Sequence, residues 1–101
     1  MTALRKFIEA TWEQGVDEAI AYSVTTTPWG GGSSSPSMIV KENGQDVTTD
    51  VSSGSASGNG DTITLPVISG LTAGKKYRLE VKWTNSGGQV VEAYGIIVAK
   101  E

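Results

Sequence analysis

Histidine and cysteine are both missing from this sequence. Without them the commonest general base, the thiol nucleophile and the usual zinc ligands are gone. No disulfide is available, so the fold must rest on its core alone. Net charge is −3, which leaves no broad basic surface for nucleic acid or anionic lipid. No apolar run approaches the roughly 20 residues of a membrane span. The first residues, Met1-Thr2-Ala3-Leu4-Arg5-Lys6-Phe7-Ile8-Glu9, lack a long apolar segment, so no signal peptide is expected and synthesis in the cytoplasm follows.

What is plentiful is glycine, serine and threonine, in 101 residues of 38% apolar content. That length is one domain, and the composition favours an all-β chain with many turns. We read residues 1–101 as a single domain.

The stretch from Thr62 to Val98 carries most of the pattern. Tyr77, Leu79, Val81 and Trp83 alternate with Arg78, Glu80, Lys82 and Thr84. Period two puts one set on each face of a strand, with Trp83 in the core. Ile63, Leu65 and Val67 alternate in the same way, and Pro66 places that strand at an edge or bulge. Between the two runs, Gly70-Leu71-Thr72-Ala73-Gly74-Lys75-Lys76-Tyr77 has the spacing of a tyrosine corner built on Leu71, Ala73 and Tyr77. The other reading is an ordinary turn before a buried tyrosine.

After the turn Asn85-Ser86-Gly87-Gly88, the last strand is apolar on both sides. Tyr94, Ile96 and Val98 lie on one face, and Val91, Ala93, Ile97 and Ala99 on the other. Either its own domain covers both faces or one is a contact surface. Taking the second set as the outer face, Val91, Ala93, Ile97 and Ala99 become the candidate interface.

Earlier in the chain, Leu4, Phe7, Ile8, Thr11 and Trp12 fit helical spacing, but residues 7–12 equally fit a strand with Ile8, Ala10 and Trp12 inward. Strand is preferred, because the other runs are strands. Gln14-Gly15-Val16-Asp17 reads as a turn. Glu18 to Thr26 alternates, with Ile20, Tyr22 and Val24 inward, until Thr27-Pro28. Asn43-Gly44 is the favoured pair for a two-residue hairpin between runs ending at Glu42 and beginning at Gln45. Residues 29–36 and 52–61 are expected as flexible loops. The sum is an immunoglobulin-like or fibronectin type III-like antiparallel β-sandwich of about seven strands.

The search for chemistry is short. Serines lie in Gly/Ser loops with no base nearby, and Gly30-Gly31-Gly32 does not open a helix as a phosphate cradle does. Glu80 and Glu92 read as solvated rather than as a glycosidase pair. Asp46, Asp50 and Asp61 flank loops but match no calcium motif. No catalytic residue, metal ligand or cofactor site is expected. Trp12 and Trp29, with Tyr94, are the candidate aromatics for a carbohydrate- or surface-binding module. Trp29 otherwise plugs one end of the sandwich.

Leu65-Pro66-Val67-Ile68-Ser69-Gly70-Leu71-Thr72-Ala73-Gly74-Lys75-Lys76-Tyr77-Arg78-Leu79-Glu80-Val81, followed by Gly87-Gly88-Gln89-Val90-Val91-Glu92-Ala93-Tyr94, resembles small phage and prophage structural proteins. These are immunoglobulin-fold proteins encoded among head and tail genes, sometimes called fibre–tail adaptors. Fibronectin type III and bacterial surface modules share the Gly-Leu-x-x-Gly-x-x-Tyr corner. The Gly/Ser-rich insert at 52–60 departs from the compact pattern. The resemblance implies a non-enzymatic virion protein at a head–tail or tail–fibre junction, made in a bacterial host. Its partners would be other virion structural proteins or further copies of itself.

Overall fold

The computed structural model describes residues 4–6 and 12–101. Nine strands are formed there: β1 Leu4–Lys6, β2 Trp12–Gly15, β3 Ser23–Thr25, β4 Ser34–Glu42, β5 Gln45–Asp46, β6 Ser57–Asn59, β7 Thr62–Thr64, β8 Lys76–Thr84 and β9 Val90–Lys100. A 3-10 turn at Thr27–Trp29 and a short helix α1 at Thr48–Val51 complete the elements. The larger sheet has the order β1-β9-β8-β4-β5, with β2 also on β9; the smaller is β3-β7-β6. Their facing sides bury Val24, Ile63, Leu65, Leu79, Val81 and Trp83 in one core. The fold is therefore β-sandwich-like and all-β in its framework.

The alternation in β8 does what period two requires. Tyr77, Leu79, Val81 and Trp83 are buried, and the residues between them are not. β4 and β9 flank β8 in antiparallel register. The Asn43-Gly44 loop joins β4 to β5 with both residues at positive φ, 52° and 81°, as the two-residue hairpin needs.

Several expectations are corrected. The sandwich is not wholly antiparallel: β1 and β2 both lie parallel to β9. The strand preference near the start, by contrast, agrees with Leu4–Lys6 and Trp12–Gly15; Phe7, Ile8, Ala10 and Thr11 lie outside the described residues. The run after Gln45 leaves the sheet at once. Asp46 Oδ1 accepts hydrogen bonds from the Thr48 amide and hydroxyl, 2.9 and 2.7 Å, which turns the chain into α1.

The two segments expected as loops carry structure. Ser34–Pro36 belong to β4, and the glycines before them are tied down. Gly31 N–H donates to Thr26 O at 3.0 Å, and Gly32 N–H to Asp61 Oδ1 at 2.9 Å. Within 52–61, Ser57–Asn59 forms β6 against β7. Its residues are all exposed, so backbone pairing alone makes it a strand, and no hydrophobic pattern announces it. The run 62–68 stays paired only to Thr64. Leu65 N–H goes to Tyr22 O, Pro66 breaks the ladder, and Ile68 rejoins through a bridge to Ile20.

Candidate interaction face

The outer face of the larger sheet is set by register. Lys41, Arg78 and Ile96 form one row across β4, β8 and β9; Ile39, Glu80 and Tyr94 form the next; Ser37, Lys82 and Glu92 form the third. Beyond the first row, Lys76 lies opposite Val98. Cross-strand partners share a face, so these residues all project away from the core.

This corrects the reading of β9. Val91 is 4% exposed, Ala93 and Ile97 0%, and Ala99 1%. They are core, and Tyr94, Ile96 and Val98 are the outward set, half-buried. The reason is the β8–β9 turn. A four-residue loop at 85–88 would pair Thr84 with Gln89. Instead Thr84 pairs with Val90, and Asn85 N–H donates to Gln89 O, leaving three loop residues. Gly88 takes the left-handed conformation that a three-residue hairpin needs, φ 81°. A slip of one residue exchanges the two faces of a strand. Asn85 itself enforces the tighter loop: its Oδ1 accepts from the Gly87 and Gln89 amides at 3.0 and 2.9 Å.

Polar and apolar groups are interleaved on this face. The Arg78 guanidinium lies over the Tyr94 ring, 4.2 Å from its centroid. Glu80 takes Arg78 Nε at 3.1 Å and Lys41 Nζ at 3.5 Å. Partly exposed pairs of this kind contribute well under about 1 kcal/mol each. Their effect is to hold long side chains in place. Ile39 is 41% exposed between them. Two adjoining depressions share Glu80. One of about 660 Å³ is lined by Lys41, Lys76, Arg78, Glu80, Ile96 and Val98 among others. The other, about 360 Å³, lies against Ile39, Lys82 and Glu92.

The remaining predicted residues lie elsewhere. Trp12 packs half-buried on Tyr22, ring centroids 4.3 Å apart. Trp29 packs half-buried on Trp83 at 5.7 Å, and its carbonyl accepts from Asn85 Nδ2. The two tryptophans pack at a tilt against different partners rather than against each other. At the corner, the buried Tyr77 hydroxyl accepts a hydrogen bond from the Thr72 amide at 2.9 Å, beside buried Leu71 and half-buried Ala73. Asp46 is occupied with Thr48, and Asp61 with Gly32 and Thr27. Among the described residues, no helix is long and apolar enough to cross a membrane.

No protein-family model and no curated protein sequence matches the chain.

Proposed function

We propose that this chain is a non-enzymatic assembly protein of a phage or prophage particle, placed at a head–tail or tail–fibre junction and acting through protein–protein contacts. The single observation that carries the contact role is the outward set on β9. Tyr94, Ile96 and Val98, with Ile39 across β8, put apolar groups on a sheet face that in a free sandwich normally meets water. The link to virions is supported by the resemblance of residues 65–94 to phage structural proteins. The mechanism is placement: a rigid sheet presents a fixed row pattern to a neighbouring subunit, with ion pairs setting orientation.

A carbohydrate-binding role draws less support, because Trp12 and Trp29 are each half-buried against another aromatic ring. Light scattering after size exclusion, across a concentration series, tests the proposal on the wild type and on Ile96→Lys. A discrete oligomer that the substitution dissolves is the expected result. An oligomer indifferent to Ile96→Lys would move the contact off this face. A chain that stays monomeric at every concentration would remove self-assembly from the proposal.

A further inference from the structure

The larger depression on the outer face is basic in an acidic chain. Lys41, Lys76 and Arg78 line it against one carboxylate, Glu80. Lys75, which pairs with Glu42 at 3.8 Å, stands at its rim. Four of the eight cationic side chains of a protein with net charge −3 thus gather at one end of one face, against the carboxylates of Glu80 and Glu42, while Glu13 beside Val98 is paired with Lys100. Glu80 is already shared between Lys41 and Arg78, so it neutralises neither fully. Lys76 makes no ion pair among the described residues. The floor between these charges is aliphatic, from Ile96 and Val98.

We infer that this depression docks a segment of a partner protein that carries carboxylates beside aliphatic side chains. Charge complementarity selects the sign: an incoming carboxylate meets Lys76 and the unsatisfied sides of Lys41 and Arg78. The floor selects the rest. Ile96 and Val98 are complementary to a Leu, Ile or Val side chain, and removing them from water drives association. A nucleic acid is a poor fit. Arg78 covers the Tyr94 ring, so that face is closed to a stacking base, and the overall negative charge opposes a polyanion. The volume is that of a site for a few side chains.

The inference rests on the reading of this face as a contact surface, and its test separates the two. The probe is a synthetic peptide of alternating Glu and Leu, with a Lys and Leu peptide as its opposite. Amide chemical shifts of the labelled protein are followed as each is added, to concentrations on the order of 1 mM. The acidic peptide is expected to move the amides of residues 76–80 and 96–98. Its affinity should fall with added salt. The double variant Lys41→Glu, Lys76→Glu should bind at least about tenfold more weakly, while Ser57→Glu with Asn59→Glu, which adds two carboxylates to exposed positions on the other sheet, binds as the wild type does. Both altered lysines are on the surface, and an unchanged circular dichroism spectrum checks the fold. Equal binding of the two peptides, or no shifts at this end of the face, would overturn the inference. If Ile96→Lys breaks assembly while the charge variants do not, the contact face stands and the acidic partner falls. If the peptide binds as described but assembly ignores Ile96→Lys, the reverse holds.

Discussion

The Tyr22 hydroxyl donates a hydrogen bond to Gln14 Oε1 at 2.8 Å, across the gap between the two sheets. Gln14 is fully buried on β2, and its amide nitrogen donates to the Ile68 and Glu18 carbonyls at 2.8 and 3.1 Å. A buried amide is tolerated only when its donors and acceptor are met, and here Tyr22, Ile68 and Glu18 meet them from three separate segments. Tyr22→Phe would leave Oε1 without its partner and should cost about 1–3 kcal/mol in urea unfolding. An unchanged midpoint would refute the bridge. Burial and then the nearby Glu18 charge raise the Tyr22 pKa above its usual 10.0. A raised pKa means the folded state favours the neutral phenol. That stabilisation is complete below the unfolded pKa and is lost as pH rises through the folded value. The alkaline loss should be smaller in Tyr22→Phe.

Ile96 and Ile97 are neighbours in sequence with opposite fates. Ile97→Lys would put a charge into a site with no exposure and should destroy the β-sheet circular dichroism signal. Ile96→Lys should keep that signal and lie within about 0.5–1 kcal/mol of wild type in unfolding. Equal behaviour of the two variants would mean the faces of β9 are misassigned.

Gly58 in β6 is needed for close approach. A Cβ there would run into the Ser33 carbonyl oxygen and side chain, where β6 crosses the start of β4. Gly58→Ala should destabilise the protein by about 1–3 kcal/mol, read as a lower thermal midpoint. Gly87→Ala is the control, because its Cβ meets only Asn85 Oδ1 at an ordinary 3.5 Å.

The Asp46–Thr48 contact predicts an acid-side dependence. Hydrogen bonds from the Thr48 amide and then its hydroxyl hold the Asp46 carboxyl below its usual 3.8, with a smaller contribution from Lys41. The associated stabilisation is present above the unfolded pKa and is lost as pH falls through the lowered folded value. Urea midpoints should decline between about pH 5 and pH 2. The decline should be shallower in Asp46→Asn, which cannot titrate. Parallel curves would show that Asp46 is not coupled to folding.

Local chemistry was legible in the sequence wherever it was also sufficient. Asn43-Gly44 made its hairpin because two positive φ values suit those residues. β8 followed its alternation because one face meets the core. The two faces of β9 cannot be told apart from sequence because both sets are apolar; only the turn's length decides, and that depends on Asn85 bonding two amides. β6 carries no large apolar side chain to mark it. The parallel docking of β1 and β2 is a contact between opposite ends of the chain, which no short window reports. The candidate interface inherits the reversal: Val91, Ala93, Ile97 and Ala99 belong to the core, and the outward residues of β9 are Tyr94, Ile96 and Val98.

The pairing of Trp12–Gly15 with Ile97–Lys100 also bears on birth at the ribosome. Trp12–Gly15 have no ladder to join until residues 97–100 have been synthesised, roughly 4–17 seconds later at 5–20 residues per second. For that interval, Gln14 has neither its β9 neighbour nor a closed interior. Edges left open so long invite pairing with other nascent chains, above all on a crowded polysome.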